Sequence, residues 1–101
     1  IYLNSMDKDG TGHGYMYGLL TQLNNKVKVP LIIAGGAGNW HHLIEGLRND
    51  MVDAVATANL FNFMGQGFPN ARKQILNSGM NLAKWDSKEL VVLNNCLKIF
   101  N

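Results

Sequence analysis

A single cysteine, Cys96, stands among the 101 residues, so no disulfide can form within the chain. A lone cysteine of this kind reads as a small, buried apolar residue near the C-terminus. Neither CxxC nor HExxH occurs, which argues against a built-in zinc site. No run of about 18 apolar residues is present, so no transmembrane helix is expected. The N-terminus also lacks a basic stretch leading into an apolar core, the layout of a signal peptide. Charge is sparse: 16% of residues are charged, the net charge is +2, and the nine Lys and Arg are scattered. That pattern does not favour nucleic acid as a partner. The expectation from these absences is a soluble, cytoplasmic protein that engages neither nucleic acid nor membrane. An initiator methionine is missing too. Ile1 already lies in an apparent strand, "IYLNS", so a piece of a longer chain is expected.

What is present alternates. Hydrophobic residues make up 47%, enough for one small globular domain. Ile1–Ser5 reads as a strand. In Tyr15–Lys26, apolar Met16, Leu19, Leu20 and Leu23, continued by Val27, share one helical face. After Pro30, Leu31–Ala34 are apolar on both faces, as in a buried parallel strand, and Gly35, Gly36 and Gly38 end the run. Asn39 is a candidate N-cap for a helix carrying Trp40, Leu43, Ile44 and Leu47. Val52–Asn59 reads as a strand with Ala54, Ala56 and Ala58 on one side. A last helix is expected from Pro69, at the favoured first position, to a closing Gly79. Three strand–helix units at steps of roughly 30 and 23 residues define an α/β class with a parallel sheet. Residues 1–85 carry this pattern. Residues 86–101 form a C-terminal tail, either a further helix capped by Asp86 and Glu89 or a loosely packed end.

In parallel α/β folds, ligands bind where the strands end at their carboxyl side. Here those ends are Asn4-Ser5, leading to Asp7, Asp9 and Gly10; then Ala34-Gly35-Gly36; then Thr57-Ala58-Asn59. Glycine turns expose backbone N–H groups, and a helix N-terminus adds partial positive charge, so the pair can hold phosphate without Lys or Arg. The same glycines can equally serve a tight turn, and Asn59 can simply cap one. "DKDG" opens like a calcium loop, but the later ligands are missing. Asp7 and Asp9 can be solvated loop carboxylates. Alternatively, one fixes the loop and the other acts as acid or base, or accepts from a sugar hydroxyl. His41 and His42 read as surface or core-edge residues, whereas His13 sits nearer the expected mouth. Trp40, Phe61, Phe63 and Trp85 read as core and edge residues.

"SMDKDGTGHGY", "PLIIAGGAGNWHHL" and "DAVATANLFNF", in this order and spacing, resemble the cyclase subunit family of imidazole glycerol phosphate synthase. The resemblance covers residues 1 to about 85. It implies a partial (β/α)8 TIM barrel, approximately strands six to eight with their helices, where a complete barrel needs about 250 residues. It implies a lyase of histidine biosynthesis that takes ammonia from a glutaminase partner and closes a phosphorylated nucleotide substrate to imidazole glycerol phosphate. The acid–base aspartates of that family belong to the first and fifth strands, which this sequence does not contain. By position in the motifs, Asn4, Asp9 and Gly10 would contact substrate. Gly35, Gly36, Ala58 and Asn59 would form a phosphate site. No cofactor or metal is implied.

The sequence departs from the family at Asn4, where Thr is usual, and at Ala34 and Asn59, where Ser is common. The connector "NFMGQGFPNARKQIL" also differs. It resembles a sister group, found with surface-polysaccharide genes, that delivers ammonia onto a sugar. A phosphate-binding or scaffold fragment without catalysis is the remaining reading. The chain alone is expected to be inactive, because the strands that carry the acid–base aspartates are missing, and prone to association, because three open units leave two sheet edges unpaired.

Overall fold

Three short parallel strands stand side by side in the order β1-β2-β3. They are β1 (Tyr2–Asn4), β2 (Ile32–Ala34) and β3 (Ala54–Val55). Tyr2 is opposite Ile32 and Asn4 opposite Ala34, while Ile32 and Ile33 face Ala54 and Val55. The computed structural model describes residues 1–23, 26–62 and 67–83. Phe63, Trp85, Cys96, the Asp86–Glu89 pair and the whole of 86–101 lie outside the described residues.

Each strand is followed by helical structure. The helix α1 (Tyr17–Gln22) joins β1 to β2, and α2 (Trp40–Leu47) joins β2 to β3. After β3 come a 3-10 turn (Asn59–Asn62) and α3 (Gly67–Asn77). The core forms where these elements meet the sheet: Leu20, Leu31, Ile33, Leu43, Ile44 and Ile75 are all buried. Leu31 has no exposed surface, and burying such a side chain contributes about 1.5–3 kcal/mol. Among the described residues, β1 and β3 each pair on one side only.

The third strand is held to the second by a side chain as well as by the ladder. Leu31 N–H donates to Asp53 Oδ2 at 2.8 Å, and Asp53 N–H donates to the Leu31 carbonyl at 2.9 Å. This reciprocal pair pins the register one residue before β3 begins. The sheet then ends at Ala56, whose N–H donates to the Ile33 carbonyl at 2.8 Å.

Several boundaries differ from the sequence expectations. Helix α1 starts at Tyr17, not Tyr15, because Tyr15 turns into the core, and Met16 at the N-cap offers no side-chain bond. It ends before Asn24 and Asn25, both weak helix formers. Helix α2 ends at Leu47, the last apolar residue expected on its face, with Arg48 as its C-cap. The strand expected over Val52–Asn59 pairs only at Ala54–Val55, because β2 ends at Ala34 and offers β3 nothing further to bond. Helix α3 begins at Gly67, so Pro69 is its third residue rather than its first. Proline is tolerated there because the first-turn N–H groups have no intrahelical partner anyway. Gly79 closes α3 with φ of 88°. The Asn39 cap forms as expected, its Oδ1 accepting from His42 N–H at 3.1 Å.

Candidate functional site

The loop after β1 is built around Ser5, which is buried. Ser5 N–H donates to the Ala34 carbonyl at 3.1 Å, and its own carbonyl accepts from Asp9 N–H at 3.0 Å. Its Oγ accepts from Lys8 N–H at 3.2 Å and donates to the Met16 sulfur at 3.8 Å. Thr11 closes the turn by donating from Oγ1 to the Lys8 carbonyl at 2.7 Å. These bonds use up the small polar side chains and leave the Asp7 and Asp9 carboxylates exposed. Ser5 carried no signal in the sequence beyond its place at a strand end.

This loop is locked against the turn after β2. Gly14 N–H donates to the Gly36 carbonyl at 2.8 Å. Gly35 and Gly36 have φ of 90° and 115°, conformations that L side chains rarely adopt. A Cβ on Gly35 would lie 2.5 Å from the Ser5 carbonyl oxygen, and one on Gly36 would overlap the Gly14 carbonyl oxygen. The glycines are therefore required by close backbone approach as well as by backbone angle.

A cavity of about 280 Å³ opens where the three strand ends converge. Asp9 and Gly10 border it from the first loop, Gly35 and Gly36 from the second, and Thr57 and Ala58 from beyond β3. Gly12, Ala37, Gly38 and Leu60 complete the wall. Five of the expected site residues, Asp9, Gly10, Gly35, Gly36 and Ala58, thus share one cleft. Asn4 is not on its wall. Its Oδ1 lies behind Gly35, 2.7 Å from where a Cβ would be. Asn59 opens the 3-10 turn directly after Ala58.

Not every glycine N–H is available there. Gly38 N–H donates to His42 Nδ1 at 2.9 Å, and Gly14 N–H is bound to Gly36. Among the described residues, the N–H groups of Gly36, Thr57 and Ala58 have no partner. His42, read from the sequence as a surface or edge residue, is a brace for the glycine turn, with its ring against Gly14. His13 is exposed and off the cavity wall, its N–H bonded to Thr11 Oγ1 at 3.3 Å. His41 stacks on Trp40 with ring centroids 3.6 Å apart. The described residues contain no group of three His, Cys, Asp or Glu that could hold a metal ion, and no helix among them is long and apolar enough to cross a membrane.

Tyr15 is buried and Tyr17 half-buried, and neither lines the cleft. The Tyr15 hydroxyl donates to the Ala56 carbonyl at 3.0 Å. Burial, then the neighbouring Tyr17 and Tyr2 phenols, push its pKa well above the usual tyrosine value. Tyr17, edge-on to Tyr15 at 6.5 Å, is pushed up to about 12 by burial and by the Glu45 carboxylate. Its hydroxyl oxygen is buried and has no hydrogen-bond partner among the described residues.

A parallel sheet whose carboxyl ends converge on a glycine-walled cleft defines the class: an α/β protein with a cleft at its strand ends. Residues 1–66 match the histidine biosynthesis protein family, and the chain belongs to it. A protein of Parasynechococcus marenigrum (strain WH8102), provisionally named imidazole glycerol phosphate synthase subunit hisF2, is 44% identical over 86 residues, 84% of this chain and 32% of its own length. Imidazole glycerol phosphate synthase subunit HisF of Chlorobaculum parvum (strain DSM 263 / NCIMB 8327) is 38% identical over 79% of this chain and 32% of its own. The HisF of Pelodictyon phaeoclathratiforme (strain DSM 5477 / BU-1) is 35% identical over 81% and 33%. The chain spans about a third of the length of the curated relatives it matches. The three-stranded parallel sheet is consistent with part of a (β/α)8 barrel, the fold of this family.

Proposed function

We propose that this chain supplies the substrate- and phosphate-holding part of an imidazole glycerol phosphate synthase cyclase, corresponding to strands six to eight of the barrel. The observation that carries this reading is the convergence of all three motif segments on one cleft, with N–H groups at Gly36 and Ala58 that are unpartnered among the described residues. Such groups, fixed by the fold before ligand arrives, suit a phosphate oxygen. Gly35, Gly36, Ala58 and Asn59 hold the phosphate. Asp9 and Gly10 meet the remainder of the substrate at the rim, where an exposed carboxylate can accept from a hydroxyl. Asn4 acts from behind Gly35. The complete enzyme is a lyase of histidine biosynthesis. It draws ammonia from a glutaminase subunit, works in the cytoplasm, and takes its acid–base aspartates from strands other than these three.

The test is turnover. The full gene product carrying this chain, given an ammonium salt and the phosphorylated ribulosyl nucleotide, is expected to form imidazole glycerol phosphate, while the 101-residue chain alone forms none. No product from the full protein overturns the reading. A second reading, ammonia-dependent amidation of a sugar in surface-polysaccharide synthesis, is favoured by the divergent connector after Asn62 and by Asn59 in place of Ser. An aminated sugar, in place of the imidazole product, would select it.

A further inference from the structure

The cleft depends on a peptide that the sheet does not hold. Ladder bonding of β3 ends with the Ala56 N–H, and neither Thr57 nor Ala58 donates to any partner among the described residues. Yet both border the cleft. Left to the ladder alone, the Ala56–Thr57 peptide would be free to rotate about its flanking bonds, and its N–H would have no set direction.

One side chain restrains that peptide. The Tyr15 hydroxyl, 41 residues away in sequence, donates to the Ala56 carbonyl oxygen at 3.0 Å. The peptide is trans and planar, so holding its C=O also fixes the Thr57 N–H, which points the opposite way. The ring that delivers the hydroxyl is itself immobile. Tyr15 is only 4% exposed. It packs so closely on Gly46 of α2 that a Cβ there would lie 3.2 Å from two ring carbons. A carbonyl can only accept, so the phenol has to be the donor.

Resting on the phosphate reading above, we propose that Tyr15 is a positioning residue. Its hydroxyl orients the Ala56–Thr57 peptide so that the N–H groups of Thr57 and Ala58 are preset for a phosphate oxygen. Tyr15 does not line the cleft and touches no ligand; it acts through the backbone of Ala56. The phosphate cradle is thereby tied to the segment that ends the first loop, so first-loop and third-strand motifs are coupled by one hydrogen bond.

The experiment compares the full gene product carrying this chain with its Tyr15→Phe and Tyr17→Phe variants, using inorganic phosphate as the probe. Two quantities are read: phosphate affinity, and amide exchange at Thr57 and Ala58 without ligand. Tyr15→Phe keeps the ring and removes the donor. It is expected to weaken phosphate binding by roughly three- to tenfold, the scale of one neutral hydrogen bond. Exchange at Thr57 and Ala58 is expected to quicken while that of Ile33 in the sheet stays unchanged. Tyr17→Phe, which also loses a buried hydroxyl, is expected to alter neither. Placing 4-aminophenylalanine at position 15 restores a donor and is expected to restore affinity. A 4-fluorophenylalanine there fills the same space without a donor and replaces the Phe variant if that fails to fold. Phosphate bound in the cleft with equal affinity by wild type and Tyr15→Phe leaves the phosphate reading standing and overturns the positioning role. Equal weakening by Tyr17→Phe overturns it as well. No phosphate bound by the wild type overturns the functional reading and this inference with it.

Discussion

Gly14 N–H donates to the Gly36 carbonyl at 2.8 Å, and Gly36 approaches the Gly14 carbonyl so closely that no Cβ fits between them. This contact joins the first loop to the second beside the cleft, which Gly36 borders. Gly36→Ala therefore meets two penalties: a φ of 115° and an overlap with backbone that cannot swing aside. The expected cost is at least about 2 kcal/mol, combining backbone strain with displacement of the paired loop. The urea midpoint checks it, and an unchanged midpoint would show that the loops separate freely.

Tyr15 and Tyr17 are expected to respond oppositely to loss of their hydroxyls. Tyr17→Phe removes a buried oxygen that has no partner among the described residues, so stability is expected to hold or rise by up to about 1 kcal/mol. Tyr15→Phe strands the Ala56 carbonyl and is expected to cost about 1 kcal/mol. Thermal unfolding of both variants, measured side by side, separates the cases.

Alkaline pH should act through the same pair. Both phenols stay protonated in the folded chain at pH values where the unfolded chain ionises near 10. The folded state then binds more protons than the unfolded one, so stability falls as pH rises. It is fully present below pH about 10. For Tyr15 it declines above that by about 1.4 kcal/mol per pH unit while the buried phenol keeps its proton. Tyr17 adds to the loss up to its own pKa of about 12. Urea midpoints at pH 8, 10 and 11 are expected to show a flat stretch and then a fall. Tyr15→Phe is expected to make the fall shallower.

Asp53 supplies a register lock that the ladder lacks. Asp53→Ala removes the acceptor for Leu31 N–H and is expected to cost about 1–2 kcal/mol, because Leu31 is buried and its N–H is left short of a partner. Asp53→Asn keeps an oxygen acceptor and is expected to cost less. Equal losses for the two would mean that charge, not the hydrogen bond, holds the strand.

How far the sequence carries a reader depends on the physics of each element. The apolar run Leu31–Ala34, the Asn39 cap and the amphipathic face of α2 are local signals, and each reappears in place. The three motif segments were legible as strand ends, and five of their residues border one cleft. What was not legible depends on partners distant in the chain. Tyr15 fits a helical pattern, but its hydroxyl is drawn to Ala56 and the helix starts later. The alternating alanines after Val52 look like a long strand, yet pairing stops where β2 stops. His42 gave no sign that its Nδ1 would take the Gly38 N–H. Asn4 lies behind Gly35 rather than on the cavity wall, because the loop after β1 is folded over Ser5.

The central claim is that the glycine-walled cleft holds a phosphate group. The most direct measurement is an amide-shift titration of the full gene product carrying this chain with imidazole glycerol phosphate, set against the same compound without its phosphate. The account predicts saturable shifts concentrated at Gly36 and Ala58, and none from the dephosphorylated compound. Equal binding of both compounds, or shifts that bypass these amides, would contradict it.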